Sequence, residues 1–255
     1  MKSIENGELQ YAVENEIASI TFNRPEKLNP LNITMVMDLY EILDEIDGDE
    51  SIRVVVLRGA GRKAFIAGAD ISEFGEMENH FEFREYIQQN CKTYMKIMQI
   101  SQPVIAAVNG FAFGGGCGMV LSSDIVVATT NSMFATQEIS LGFPGNGTTL
   151  TNLVGKHKAA ELTMLGNVFS AEEAYRLMIA NRLVMPEVLD DTVAQICKEL
   201  KAKSFYGLKM AKRVIYNALD SGISASSAFE ADAAGMCFST PQFKAAVEGF
   251  LQKGK

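Results

Sequence analysis

Residues 104–118 read VIAAVNGFAFGGGCG, and three consecutive glycines stand where an apolar strand should lead into a helix. Glycines at such a junction cradle phosphate in nucleotide-binding proteins, but no Lys-Ser or Lys-Thr pair follows here, and no GxGxxG spacing with a later ribose-binding acid is present. Two explanations stay open from these residues alone. One is close packing of a helix against a strand. The other is a ligand oxygen that must reach the unpaired N–H groups at the start of the helix.

Strands and helices alternate on both sides of this glycine run. The elements predicted before residue 150 are a hairpin at 10–14 and 16–22, a helix from an Asn32 or Thr34 cap to Asp47-Gly48, a strand at 53–59, a helix near 81–100, and strands at 104–110 and 124–129. Strands then become scarce, and helices are predicted at 156–165, 170–180, 190–203, 204–222 and 240–252. The sequence therefore predicts an α/β core at residues 1–190 and a helical region at residues 191–255.

Composition limits the classes of function. The chain has 255 residues, 47% of them hydrophobic, and a net charge of −8, which argues against nucleic acid or an anionic membrane as the main partner. No signal core and no run of roughly 18 apolar residues is found. The four cysteines are widely spaced and form no CxxC pair, which favours reduced thiols in a cytoplasmic protein. With two histidines in the chain, no metal site is expected, and the chemistry is expected to use carboxylates and backbone groups.

A second glycine-containing turn matches the first. Residues 63–74, KAFIAGADISEF, follow the apolar strand at 53–59 and again place a glycine between small residues before an acidic helix start. A single N–H donor rarely stabilises an oxyanion, so two such turns favour a site in which two backbone N–H groups bind one oxygen.

Four segments at family spacing, RPEKLNPLN (24–32), AFIAGADISEF (64–74), IAAVNGFAFGGGCG (105–118) and TQEISLGFPGNG (136–147), together resemble the crotonase (enoyl-CoA hydratase/isomerase) superfamily. The resemblance runs in order across nearly the whole chain. It implies an α/β fold, a crotonase-like spiral of repeated ββα units with a helical C-terminal trimerisation region, and assembly as a homotrimer or hexamer. It also implies acyl-CoA thioester substrates, with no cofactor apart from the CoA that belongs to the substrate.

The resemblance also assigns roles to residues. The backbone N–H groups of Ala69 and Gly115 would be the two oxyanion donors, which would stabilise the enolate formed when a proton leaves the carbon beside the thioester. Loss of one such donor typically costs about 3–4 kcal/mol. Arg24 and Lys27 would lie near the CoA phosphates, and Phe250 and Lys253 would cover the nucleotide, in the same or a neighbouring subunit. For the lysines, a solvated surface charge is the alternative. The other positions expected near the thioester or the CoA are Ala67, Gly68, Asp70, Ile71, Gly118 and Asn146.

One of the two glutamates that the family's hydratases use is missing. Its position is Gly118, whereas the second glutamate is present as Glu138, with Gln137 in place of the usual proline. Glu138 is therefore the expected base, with its pKa raised by an apolar pocket. A single base can move a proton from C2 to C4, so the resemblance favours 3-enoyl-CoA to 2-enoyl-CoA isomerisation. Restoring a glutamate at position 118 is expected to be tolerated by the helix and to increase hydration.

Other functions remain open on the same residues. Enoyl-CoA hydratase activity is the alternative, with Asn146 holding the water in place of the missing acid. An acyl-CoA decarboxylase would need the oxyanion donors more than a second acid. A non-catalytic homologue that binds CoA or RNA is disfavoured by the presence of Glu138, Ala69 and Gly115.

Overall fold

The computed structural model describes the backbone of residues 3–4 and 7–253 and the side chains of residues 7–252. The strands are β1 (Ser3–Ile4), β2 (Leu9–Glu14), β3 (Ile17–Phe22), β4 (Val54–Gly59), β5 (Ala64–Ile66), β6 (Val104–Val108), β7 (Phe111–Phe113), β8 (Ile125–Thr129), β9 (Met133–Ala135), β10 (Phe169–Ser170) and β11 (Arg182–Val184). The α-helices are α1 (Ile33–Asp47), α2 (His80–Gln99), α3 (Gly115–Ser122), α4 (Gly147–Leu165), α5 (Ala171–Arg176), α6 (Leu189–Lys201), α7 (Phe205–Asp220), α8 (Ile223–Phe238) and α9 (Pro241–Lys253).

Three consecutive ββα units form the centre of the fold: β4-β5-α2, β6-β7-α3 and β8-β9-α4. The first strand of each unit enters a large sheet of order β1-β2-β3-β4-β6-β8-β11, and the second enters a small sheet of order β10-β9-β7-β5. Within each sheet the three successive units pair in parallel. This arrangement confirms the predicted crotonase-like spiral of repeated ββα units. The repeat is one of structure, since the residue-level sequence shows no clean internal repeat.

The N-terminal hairpin and first helix form where local sequence predicts them. Asn15 and Glu16 both have positive φ angles (50° and 66°), the geometry of a two-residue hairpin turn between β2 and β3. The Asn32 side chain accepts a hydrogen bond from the Met35 N–H and caps α1. The predictions of the hairpin and of the Asn32 cap are therefore confirmed.

The central strands of the large sheet, β4, β6 and β8, are buried on both faces, as their continuous apolar sequences predict. One face packs on the main core together with α1, while α6 covers the other. The residues on the α6 side are Val54, Val56, Ile105, Ala107 and Val127 from the sheet and Leu189, Val193 and Cys197 from the helix. Packing contacts therefore cross the predicted boundary at residue 190, and that division into two regions stays a prediction.

The C-terminal part differs from the sequence-based expectation in three places. The helix predicted at 170–180 ends at Arg176, since Met178 has a left-handed φ of 60° before β11 begins. α4 is interrupted at Gly155, whose backbone is not helical. α8 was not predicted, because its apolar and small residues are spread around the helix and show no periodic face. None of the helices in the described ranges is long and apolar enough to span a bilayer.

Candidate active site

Three backbone turns meet at one edge of the small sheet. β5, β7 and β9 run parallel, so their carboxyl ends lie side by side, and the chain leaves them through Ala69, Gly115 and Glu138 respectively. Ligand sites are common at the carboxyl ends of parallel strands. The ββα repeat therefore brings together three residues that are far apart in sequence, and all three line the same cavity.

The turn after β5 presents the N–H group of Ala69. Leu31 lies beside this turn in a parallel bridge: its N–H donates to the Gly68 carbonyl at 2.9 Å, and its carbonyl accepts from the Asp70 N–H at 2.7 Å. Gly68 has a φ of +115°, which a residue with a side chain rarely adopts. Across the described residues, the Ala69 N–H has no hydrogen-bond partner in the chain. It is therefore available to a ligand.

The three glycines after β7 have separate structural reasons. Gly114 has a φ of 50° and donates its N–H to the Ala135 carbonyl at 2.9 Å, which joins the turn to β9. Gly115 is the first residue of α3, and its N–H has no helical acceptor. Gly116 packs against β5, where a Cβ would lie 2.3 Å from the Ile66 carbonyl oxygen. Close packing and an exposed donor, the two explanations left open by the sequence, therefore both apply.

Glu138 lies within the 3-10 turn Gln137–Leu141 and lines the same hollows as these two donors. Its Oε1 accepts a hydrogen bond from Asn146 Nδ2 at 3.0 Å, and the same amide nitrogen donates to the Gly114 carbonyl at 2.9 Å. Its Oε2 is buried and has no partner among the described residues. Burial raises the pKa of the Glu138 carboxyl above its ordinary value, as the sequence predicts. The carboxyl group is thus held at one oxygen and free at the other.

Two hollows meet at Ala69, Gly115 and Glu138. The first, about 200 Å³, extends beneath α2 and is closed by Phe74, Phe143 and the start of α4. The second, about 340 Å³, extends past Ala67, Gly68 and Ile71 toward the 3-10 turn that follows β9. A thioester held by the two N–H groups would have room for one substituent on each side. Across the described ranges, no group of three or more His, Cys, Asp or Glu side chains could hold a metal ion.

Gly118 is not among the residues that line either hollow, and its contact with substrate stays a prediction. It is buried behind Tyr94 and Asn146, and a Cβ there would lie 2.7 Å from both the Tyr94 ring and Asn146 Oδ1. Tyr94 donates its hydroxyl hydrogen to the Gly115 carbonyl at 3.1 Å, and burial holds its pKa well above the ordinary value. The Tyr94 side chain therefore fills the space next to Gly118 and is hydrogen-bonded to Gly115, the residue that carries the second unpaired N–H group.

The buried Arg24 and the partly exposed Asp70 form an ion pair beside the Ala69 turn. The Arg24 guanidinium pairs with Glu8 at 3.0 Å and with Asp70 at 2.8 Å, and it donates to the Pro30 carbonyl at 3.1 Å. A hydrogen bond from Ser72, with further contributions from Arg24, lowers the pKa of Asp70. In these contacts both side chains support the loop, and their predicted contact with CoA stays a prediction.

The other residues predicted to contact the nucleotide of CoA lie at the protein surface or outside the residues whose side chains the structure describes. Lys27 is exposed on the loop after Arg24, and Phe250 is 81% exposed on α9. The side chain of Lys253 lies outside the described residues. Tyr86, Asn90 and Tyr94, which line the first hollow, were missed by the sequence analysis. Their spacing of four residues along a helix was the available signal.

The fold and these donor turns are those of a crotonase-type protein, and comparison with known proteins supports that class. Among solved structures, enoyl-CoA hydratase from Bacillus anthracis superposes with a TM-score of 0.92 at 28% identity over 97% of each chain. Enoyl-CoA hydratase from Mycobacterium smegmatis does so with a TM-score of 0.94 at 29% identity, again over 97% of each chain.

Sequence comparison identifies the family. The family model for enoyl-CoA hydratase/isomerase matches residues 12–255. The short-chain-enoyl-CoA hydratase of Clostridium acetobutylicum is 38% identical over 245 residues, which cover 95% of this chain and 94% of that protein. The crotonyl-CoA hydratase of Syntrophomonas wolfei is 34% identical over the same shares of each chain. This chain belongs to the enoyl-CoA hydratase/isomerase family.

Proposed function

We propose that this protein adds water reversibly to a short-chain 2-enoyl-CoA thioester, with Glu138 as its only carboxylate acid–base group. The observation that carries the proposal is the free, buried Oε2 of Glu138 beside the N–H groups of Ala69 and Gly115. A carboxylate with a raised pKa and one unpaired oxygen is suited to accept a proton and return it near neutral pH.

A single carboxylate can complete the hydration in two steps. In the first, Glu138 Oε2 takes a proton from water, the water oxygen bonds to C3, and the double-bond electrons move onto the thioester oxygen. The N–H groups of Ala69 and Gly115 stabilise the resulting enolate. In the second, the neutral Glu138 carboxyl returns the proton to C2 and the thioester carbonyl re-forms. The net change is the addition of one water, and no second acid is required.

The names of the two relatives favour hydration over isomerisation as the reaction. Of the two relatives described above, one is named a short-chain-enoyl-CoA hydratase and the other a crotonyl-CoA hydratase. This changes the order expected from the sequence, in which isomerisation came first and hydration second. The CoA portion is assigned to the second hollow, where Ala67, Gly68 and Ile71 would line its channel. Lys27 at the loop surface and Phe250 on α9 are proposed to contact the nucleotide.

Isomerisation of a 3-enoyl-CoA is the second candidate, and the residue that favours it is Gly118. An acid at this position would share the work of orienting and deprotonating the water, and one acid–base group typically contributes about 10²–10⁴-fold to a rate. Tyr94 and Asn146 occupy that space without supplying a carboxylate. Transfer of a proton from C2 to C4 uses Glu138 alone. The absence of an acid at position 118 therefore should not slow isomerisation.

The test compares three substrates with one enzyme preparation. Crotonyl-CoA, a 3-enoyl-CoA and a malonyl-type CoA ester are incubated separately. Products are first separated by chromatography, which resolves the 2-enoyl and 3-enoyl esters of equal mass, and are then quantified by mass spectrometry. We expect kcat/KM for hydration of crotonyl-CoA to exceed that for isomerisation, and both to depend on Glu138. Faster isomerisation would make the second candidate the function, and carbon dioxide release would indicate a decarboxylase. Binding of all esters without turnover would leave a non-catalytic CoA-binding protein.

A further inference from the structure

One face of α2 carries three polar side chains into the first hollow. Tyr86, Asn90 and Tyr94 are spaced by four residues, so they lie along one side of the helix, and all three line the cavity that contains Glu138. Tyr94 donates to the Gly115 carbonyl, and Asn90 Nδ2 donates to the backbone carbonyl of Tyr86 at 3.0 Å. Two of the three therefore have a structural hydrogen bond that accounts for their burial.

The hydroxyl of Tyr86 has no such bond. Tyr86 is 5% exposed, and its hydroxyl oxygen is buried without a partner of hydrogen-bonding geometry among the described residues. Burial raises the pKa of Tyr86 to about 12. The Asn90 side chain is near enough to the phenol oxygen to lower this pKa in part, but its Nδ2 bonds the backbone carbonyl and it does not reach hydrogen-bonding geometry with the hydroxyl. The phenol therefore keeps its proton and remains a donor. An unsatisfied buried donor is destabilising, so its presence in a ligand cavity needs an explanation.

Packing holds the Tyr86 ring in place. Phe74 lies edge-on to it with ring centroids 5.2 Å apart, and Phe83 stacks on it at 6.5 Å. The ring forms a wall between the Glu138 cavity and a neighbouring hollow lined by Glu73, Glu76, Glu82 and Glu85. Asp70 and Glu73 act electrostatically on the phenol and disfavour its anion. The same negative surroundings disfavour a carboxylate on a ligand beside the hydroxyl.

We infer that the acyl group of the substrate carries a neutral hydrogen-bond acceptor beyond C3, a carbonyl or hydroxyl oxygen, which accepts a hydrogen bond from the Tyr86 hydroxyl. This inference rests on the proposed function, because it assigns the first hollow to the acyl group. It narrows the substrate class from short 2-enoyl esters in general to those with an oxygen on the acyl chain.

The test measures binding of two saturated esters of nearly equal shape, 4-oxopentanoyl-CoA and 4-methylpentanoyl-CoA, by calorimetric titration. Neither contains a double bond to hydrate or shift, so the result does not depend on which reaction the enzyme catalyses. We expect the wild-type protein to bind the oxo ester about tenfold more tightly, as for one hydrogen bond to an otherwise unpaired donor. Tyr86→Phe should abolish this preference, and Tyr175→Phe, which alters a half-exposed tyrosine on α5, should retain it.

A second measurement is independent of CoA. Because the hydroxyl is unpaired in the free protein, Tyr86→Phe should unfold at a temperature no lower than that of the wild type. A clear decrease would show that the hydroxyl has a partner in the free protein and would overturn the inference. Equal wild-type binding of the two esters would also overturn it and leave the proposed function intact. Failure of both esters to bind would overturn the proposed function as well.

A third measurement tests whether the hollow recognises a neutral, a cationic or an anionic acyl group. If an ester of 4-(trimethylammonio)butanoic acid binds wild type more tightly than the oxo ester, and Tyr86→Phe leaves that affinity unchanged, the glutamates next to the wall recognise a cation. That outcome would overturn the assignment of a neutral acceptor. Weak binding of glutaryl-CoA by the wild-type protein is expected, because its carboxylate would approach Asp70 and Glu73.

Discussion

Glu138 combines three properties that are seldom found together in a surface carboxylate. One oxygen is held by Asn146, the other is buried and unpaired, and burial raises the pKa of the group. Gly145 permits this placement, since a Cβ at that residue would lie 2.2 Å from the Glu138 carboxyl carbon. The local sequence therefore builds a pocket around the carboxyl group rather than leaving it in solvent.

Replacement of Glu138 by glutamine should abolish proton transfer and preserve binding. The amide keeps the shape of the side chain but cannot take a proton, so we expect kcat to fall by at least about 10²-fold. The dissociation constant for a saturated acyl-CoA should stay within a few fold of the wild-type value. Glu26→Gln, on the exposed turn before Lys27, is the matched control and should leave both quantities unchanged. A Glu138→Gln variant with wild-type kcat would show that another group is the base.

The same variant has a predictable effect on stability. The raised pKa means that the folded state binds more protons than the unfolded state between the ordinary value of 4.5 and the higher folded value. Stability contributed by protonated Glu138 is thus present below pH 4.5 and is lost as pH rises through the folded pKa. Glu138→Gln removes this loss, so its melting temperature should exceed that of wild type at neutral pH.

The gain in melting temperature should shrink as the pH is lowered below 4.5, because wild-type Glu138 is then neutral in both states. Thermal unfolding of both proteins at several pH values measures the trend. For activity, the acidic limb of the wild-type kcat/KM profile should lie above pH 4.5 for the same reason. A gain that is constant across the pH range would mean that burial does not perturb the carboxyl group.

At the level of single elements, sequence defined two features best: the first strands of the ββα units, which lie in the large sheet, and the turns that follow the strands of the small sheet. Gly68 and the glycine run mark two of the three turns because only glycine fits their backbone or their close contacts. Glu138 marks the third through the family pattern. The apolar runs before these turns predict buried strands, and those strands are found at Val54–Gly59 and Val104–Val108.

What fills the position of the missing acid could not be predicted. Gly118 indicates only that a side chain is absent. Whether water, an empty cavity or protein atoms occupy the space depends on α2, which is remote in sequence. Tyr94 reaches this space from the second turn after Tyr86, and Asn146 reaches it from the start of α4. Long-range packing of this kind has no local sequence signal. The sequence-based expectation that the helix tolerates a glutamate at position 118 conflicts with this packing of Tyr94 and Asn146 against Gly118.

Helix α3 should therefore be destabilised by even a small side chain at Gly118. Gly118→Ala improves helix propensity by about 1 kcal/mol, but its Cβ would lie 2.7 Å from the Tyr94 ring. Because overpacking typically costs about 1–3 kcal/mol, we expect a net decrease in the free energy of unfolding, measured by denaturant titration. Gly75→Ala is the control, since a Cβ there meets no atom within 4 Å. A Gly118→Ala protein as stable as wild type would show that Tyr94 moves aside easily.

At the scale of the whole molecule, the C-terminal helices leave a large apolar surface uncovered. α7 packs on α8, and α9 packs against α8. Met210 on α7 is buried at 5% exposure, whereas Ile215 on the same helix is 63% exposed. Other exposed apolar side chains on these helices are Leu219, Ile223, Met236, Phe238, Phe243, Val247, Phe250 and Leu251. Monomeric soluble proteins rarely expose contiguous apolar patches of this kind.

We expect this surface to be covered by further copies of the chain, with a trimer as the unit. The number three comes from the family resemblance, and the need for a cover comes from the exposed side chains.

The substitution Ile215→Asp distinguishes a surface that is open to solvent in a monomer from one that is buried between subunits. In a monomer, a charge at a 63% exposed position should change neither mass nor melting temperature appreciably. In an assembly, it would place an unpaired charge in an apolar contact and should cause dissociation at micromolar concentration. Sedimentation velocity of both proteins measures this, with Lys198→Asp on the exposed side of α6 as the control. A wild-type chain that sediments as a stable monomer would contradict the prediction, and a trimer that Ile215→Asp leaves intact would place the contact elsewhere.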